Sequence, residues 1–303
     1  MPGTSGPFGT ILFDWTTTLH ALKHPSLPLV LGYNTAIFSL LYWMMGRTTL
    51  MNMDGIEWHR EKWTPLQRRW LRLNEWLGAK FSDHLIADHP EIGRHLEQYA
   101  PPEKISVIPY EAQAVTDANP GLLSRFDLQP GAYAIVIARP EPENSLLDIV
   151  QAFSRRPRGM KLVVLGRYLP ETNVYHRQVL EAAGPEVLFP GALYDVAVVH
   201  ALRFFARVYL HGHRVGGTNP SLVESLAAGN PVIAHDNRFT RWVAGPEQQY
   251  FSSAEDLSGI FDRVLDDPGV LCRMAEASRE RHAEVFTQAK VLGAYEDLLL
   301  RFA

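Results

Sequence analysis

The chain of 303 residues has a single cysteine, Cys272, so no intramolecular disulfide can form and a reducing compartment is expected. It lacks a run of apolar residues able to span a bilayer: the most apolar stretch, residues 36–45, is about half of the roughly 20 residues a membrane helix needs. That stretch reads as a buried helix. The opening MPGTSGPFGT has no basic-then-apolar leader pattern, so the expectation is a cytoplasmic protein, with loose attachment to the inner membrane face through the first half as its one membrane contact. Basic charge is not in excess: 29 Lys and Arg stand against 33 Asp and Glu, a net −4, which argues against nucleic acid as a partner. Internal repeats, Gly-x-Ser-x-Gly, a Walker A loop and kinase signatures are all missing. His211-x-His213 is a metal-like pair, but no third ligand follows at a convincing spacing, so neither a metal nor another cofactor is expected.

What is present is an ordinary globular composition, 46% hydrophobic and 20% charged, in a length that suits two domains. Strand and helix patterns alternate on both sides of a Pro-, Gly-, Asn- and Asp-rich stretch at 116–131. This predicts an α/β chain of two doubly wound, Rossmann-like parallel-sheet domains facing a cleft. The expected division is 1–115, 116–285, and a last helix, 286–303, packing back on the first domain. The first half offers about four strands and opens on a helix, so its sheet is expected to be incomplete.

The clearest stretch is 207–236, RVYLHGHRVGGTNPSLVESLAAGNPVIAHD. It predicts a buried strand, a glycine-bearing polar loop, a helix opened by Asn219 and Pro220, a Gly229–Pro231 stop and a second strand. A glycine loop before a helix N-terminus presents free N–H groups suited to a phosphate, and it is also the ordinary crossover of any α/β domain. Glu224, one turn in, could accept from ribose hydroxyls.

Ligands of such sheets bind beyond the carboxyl ends of the strands, which directs attention to strand exits. Arg139 ends one strand and either bridges phosphate oxygens or pairs with Glu141 or Glu143. Gly166 and Arg167 end another. His211, His213 and Arg214 follow a third. The loop 53–63 brings together Asp54, Glu57, Trp58 and Trp63; it either binds a sugar's hydroxyls and pyranose faces or is a solvated charged loop. Arg68, Arg69 and Arg72 form a basic helical cluster, either a solvated face or a contact for anionic lipid.

SLVESLAAGNPVIAHD (221–236) resembles the donor-binding segment of GT-B glycosyltransferases of family 4, and IARPEPENS (137–145), VVLGRY (163–168) and VLFPGAL (187–193) resemble that family's other C-terminal landmarks, in order. VLGYNTA (30–36), NMDGIEWHREKW (52–63) and HGHRVGGTNPSLVE (211–224) are similar to a subgroup of bacterial rhamnosyltransferase-like enzymes of polysaccharide assembly. The resemblance implies a nucleotide-diphospho-sugar donor in the C-terminal domain, a saccharide or lipid-linked acceptor on the N-terminal one, and hexosyl transfer with retention and no obligatory metal. It makes Glu224 the second glutamate of a Glu-x7-Glu motif that holds the donor ribose, and Arg139 the arginine that neutralises the diphosphate. Asp54 falls where many members carry a histidine near the reacting sugar, and Glu57 joins it as a candidate. Gly166, Arg167, His211, His213, Arg214, Gly217, Thr218, Asn219, Ser221 and Leu222 complete the implied donor set. The motif's first glutamate is replaced by Gly216, and the family's lysine after Arg139 by Asn144. Relative to the family the opening strand and its glycine loop are absent, which leaves a non-catalytic nucleotide-sugar-binding protein as the alternative reading.

Overall fold

The computed structural model describes residues 7–302 and resolves into two compact units. The first runs to Pro109 and takes in the residues from Leu292 onward; the second is Tyr110–Val291.

In the first unit α1 (Pro7–Ala21) precedes β1 (Leu29–Leu31), α2 (Leu40–Met44), β2 (Leu50–Asn52), α3 (Pro65–Phe81), β3 (His84–Ala87), α4 (Pro90–Leu96) and β4 (Ile105–Val107). The four strands pair in parallel in the order β1-β2-β3-β4. The helix α3 starts where its sequence dictates: Pro65 fills the first position, and Thr64 and Gln67 close a reciprocal capping box. The expected helix over 36–45 is not continuous. It divides into a 3-10 turn (Ala36–Ser39) and the short α2, and the Ile37 N–H, a first-turn group with no helical carbonyl to bond, is donated to the Asn74 side chain of α3.

The second unit has six parallel strands, β5 (Tyr133–Ile137), β6 (Lys161–Leu165), β7 (Val187–Gly191), β8 (Val208–His211), β9 (Val232–His235) and β10 (Gln249–Phe251), in the order β10-β9-β8-β5-β6-β7. Around them lie α5 (Leu146–Ser154), α6 (Val174–Glu181), α7 (Val196–Phe204), α8 (Pro220–Ala227), α9 (Arg238–Ala244), α10 (Ala254–Val264) and α11 (Pro268–Arg281), and α12 (Gln288–Leu300) carries the chain back into the first unit. Period-two alternation divides each strand between two cores. Tyr133, Ile135, Val163 and Tyr209 pack under α7 and α8, while Ala134, Val136, Leu162 and Leu210 pack under α5 and α10. The sequence pattern carries no expectation over 237–248. The structure places α9 there, capped by the Asn237 side chain on the amides of Phe239 and Thr240.

Both halves are thus parallel α/β sheets, as the alternation predicts. In the second, β5 is flanked by β6 on one side and β8 on the other, so the winding reverses at β5 and a crevice opens at that point beyond the strand ends.

Candidate active site

A cavity of about 600 Å³ occupies this crevice, a volume within the usual range for a small-molecule site. The exit of β5 contributes Ala138, Arg139 and Glu141; the exit of β6 contributes Gly166 and Arg167; α7 contributes Arg203; and the start of α8 contributes Pro220, Ser221 and Glu224. Glycine is required at 166 by close approach: a Cβ there would sit 2.7 Å from the Ala138 carbonyl oxygen. Asn144 is buried and donates its amide to the Arg139 carbonyl at 2.7 Å, so the residue standing for the family's lysine shapes the loop that carries Arg139.

Arg139 and Arg167 are exposed on this cavity, and neither guanidinium has a partner among the described residues. The ion pair of Arg139 with Glu141 or Glu143, left open by the sequence, does not form. Glu224 accepts from Arg203 Nη2 at 2.5 Å through Oε2. The Ser221 hydroxyl is 2.7 Å from that of Tyr209 and donates to the Ile137 carbonyl at 3.3 Å, tying the start of α8 to the end of β5. Burial pushes the Tyr209 hydroxyl up to about 12, so it is neutral.

The N-terminus of α8 requires a correction. Its amides are not free. Asn219 accepts from the Ser221 N–H through its side chain at 3.0 Å and from those of Leu222 and Val223 through its carbonyl at 3.1 Å. Pro220 has no N–H to give. The cationic share of an anion site here falls to Arg139 and Arg167.

The loop before α8 is held inward. The His211 ring is buried and stacks on His213 at 4.9 Å, and burial, with His213 and His235 alongside, keeps it well below the ordinary histidine range. His213 Nε2 lies 2.9 Å from the Asn219 side-chain amide. Arg214 is turned to α5, donating to Asp148 at 2.5 Å and to Ser145 Oγ at 2.8 Å. Thr218 is buried, Gly217 is half-buried, and Leu222 points into the core. Of the implied donor set, the structure gathers Arg139, Gly166, Arg167, Ser221 and Glu224 on one cavity. The lining does not include His211, His213, Arg214, Gly217, Thr218, Asn219 or Leu222.

Asp54 and Glu57 belong to the first unit, in the loop after β2. Asp54 adopts a left-handed φ of 52°, a conformation that is costly for a residue with a side chain, and the Asn52 carboxamide stabilises it by accepting from the Asp54 N–H at 2.9 Å. Asn52 is itself tied to the Tyr295 hydroxyl at 3.0 Å. Glu57 is paired with Arg60 at 3.2 Å and Lys62 at 3.1 Å. Trp58 is not an open aromatic face: Arg72 stands 4.0 Å over its ring and its N–H is donated to buried Glu75. Trp63 instead lines an apolar cavity of about 780 Å³ together with Ile11, Leu66, Trp70 and Leu73.

Sequence reasoning passed over Arg203. Its signal was visible, as a lone cation inside the apolar helix VAVVHALRF. Among the described residues no group of three or more His, Cys, Asp or Glu side chains is placed to hold a metal ion.

Comparison with known proteins follows the same division. Residues 21–113 match a domain of unknown function (DUF1972), and residues 128–281, just over half of the chain, match the glycosyl transferases group 1 model. No curated protein matches the sequence. Among solved structures, sucrose-phosphate synthase from Thermosynechococcus elongatus is similar at 17% identity and a TM-score of 0.81, covering 100% of this chain and 82% of that one. Anabaena Alr3699/HepE in complex with UDP-glucose is similar at 14% identity and 0.79, covering 99% and 85%. A glycosyltransferase from Rickettsia africae gives 14% and 0.73, covering 100% and 83%. These likenesses show the fold, which is GT-B. With a group 1 model matched over its second unit, the chain belongs to the glycosyl transferases group 1 family.

Proposed function

We propose that the protein transfers a hexosyl group, rhamnose being the first candidate, from a nucleotide-diphospho-sugar to a saccharide or lipid-linked acceptor in polysaccharide assembly. The observation that carries this is the cavity at the β5 reversal, where Arg139 and Arg167 are exposed without anionic partners and Glu224 lines the same cavity. In the transfer the bond from the sugar's anomeric carbon to the diphosphate breaks, and its electron pair leaves on the diphosphate. The acceptor oxygen bonds to that carbon and gives up its proton to the departing diphosphate. Arg139 and Arg167 stabilise the departing charge, an effect that typically accounts for about 10²–10³ in rate per donor. Glu224 orients the ribose. The assignment of Asp54 and Glu57 to the acceptor and reacting sugar rests on the family resemblance. That Anabaena HepE is solved with UDP-glucose supports a donor of this class.

The apolar cavity of the first unit supports the lipid-linked form of the acceptor. Exposed Leu66, Trp70, Leu73 and Trp76 on α3, interleaved with Arg68, Arg69 and Arg72, support a peripheral contact with an anionic membrane. No described helix is long and apolar enough to cross a membrane.

The test is turnover. Arg139→Ala and Glu224→Ala are assayed for release of nucleoside diphosphate from a panel of nucleotide-sugars with and without acceptor. Loss of about a hundredfold or more in Arg139→Ala is expected. Unchanged rates in both variants would remove the site, and binding without any turnover in the parent chain would favour the non-catalytic reading.

A further inference from the structure

The Arg203 guanidinium is buried, with 3% of its side chain exposed, yet it has one ion pair, to a Glu224 side chain that is 46% exposed. Its Nε is buried with no partner among the described residues. A buried cation with a single paired nitrogen is a costly arrangement, and an apolar residue would fill this position on α7 more cheaply. The cost is offset by what the pair does to the carboxylate. Nη2 takes Oε2 at 2.5 Å, while Oε1 has no partner among the described residues, on a side chain that lines the cavity. The main chain at Arg203 is also held: its carbonyl accepts from the buried Asn230 amide at 2.7 Å.

Resting on the donor-site reading above, we infer that Arg203 is a positioning residue for sugar recognition in the nucleotide: it clamps Glu224 Oε2 so that Oε1 is presented to a ribose or deoxyribose hydroxyl. The carboxylate is thereby fixed in one rotamer. A ligand hydroxyl meets a preset acceptor and does not have to order a free side chain. The specificity this creates is for the hydroxyl and not for the diphosphate, which Arg139 and Arg167 address separately.

The experiment is calorimetry with UDP, ADP, GDP and dTDP, each against its 3′-deoxy analogue, on the full chain. The 3′-hydroxyl is common to ribose and deoxyribose, so the comparison holds for either donor type. The parent chain is expected to prefer the 3′-hydroxyl by about tenfold to a hundredfold, the range for a hydrogen bond to a charged acceptor. Glu224→Gln and Arg203→Met each bring the preference close to one, and the double variant lowers it no further. Arg203→Lys keeps the charge on a shorter side chain that falls short of the Nη2 position, and loses most of the preference; it carries the test if the Met variant does not fold. A preference retained in the Arg203 variants, or an equal weakening of both members of each nucleotide pair, overturns the clamp and leaves the donor site standing. A preference retained in Glu224→Gln, or no diphosphate bound by the parent chain, overturns the donor-site reading along with it.

Discussion

Gly212, at the exit of β8, passes the Asn144 carbonyl so closely that a Cβ at Gly212 would fall 2.1 Å from that oxygen. The loop before α8 and the loop that carries Arg139 are therefore packed backbone to backbone. Gly212→Ala is expected to destabilise the second unit by about 1–3 kcal/mol, the usual cost of overpacking, and to weaken diphosphate binding as Arg139 shifts. Urea unfolding paired with nucleotide calorimetry checks both. Parental stability in this variant would mean that the two loops are free to separate.

Gly216 holds a φ of 130°, a conformation open to glycine and strained for other residues. It stands where the family resemblance puts the first motif glutamate. Restoring that residue with Gly216→Glu is expected to cost about 1–3 kcal/mol and to leave transfer no faster. A variant with raised turnover and parental stability would contradict this.

Glu75 is buried on α3 and accepts from Trp58 Nε1 at 3.0 Å, His95 Nε2 at 3.0 Å and the Tyr99 hydroxyl at 3.3 Å. It anchors the loop that carries Asp54 and Glu57 to the helices beneath. Glu75→Ala strands three donors and is expected to destabilise the first unit by roughly 3 kcal/mol, whereas Glu75→Gln, which keeps an acceptor, costs less. Denaturation midpoints of the two variants test the order, and a reversed order would overturn it.

Stability is expected to fall on mild acidification. Burial holds His84, His211 and His235 below their ordinary 6.5. Between pH 6.5 and their lowered native values the unfolded chain binds protons that the folded chain refuses. The stability present above pH 6.5 is therefore lost as pH falls. For fully buried His211 the slope is at most about 1.4 kcal/mol per pH unit; solvent screening makes it smaller for the other two. Asp236 and Asp262, held below 3.8 chiefly by hydrogen bonds from Arg241 and Arg158, act only in more acid solution. Urea unfolding between pH 7.5 and 5.5 should show the decline, and His211→Gln should flatten it. A level profile in the parent chain would contradict the assignment.

The strand runs Tyr133–Ile137 and Lys161–Leu165 were legible because strands buried on both faces are continuous apolar segments bounded by turn residues. The opening of α3 by Thr64 and Pro65 and the capping by Asn219 were legible because caps are local chemistry. The strand-end rule singled out Arg139, Gly166 and Arg167, which line one cavity. It also drew in His211, His213 and Arg214, since sequence places a residue at a strand end without saying which way its side chain turns. The buried ring of His211 is decided by its stacking on Tyr209 and His213, and the turn of Arg214 by its pair with Asp148 on α5. Arg203 was missed for the complementary reason: its partner Glu224 lies on the next helix, beyond any local pattern.

Calorimetric titration of the full chain with UDP, ADP, GDP and dTDP, repeated on Arg139→Ala and Arg167→Ala, tests the central claim most directly. The account predicts saturable binding of at least one diphosphate by the parent chain, and affinity at least about tenfold weaker in each arginine variant, as for a lost charge-assisted contact. Failure of all four to bind, or binding indifferent to both arginines, would contradict it.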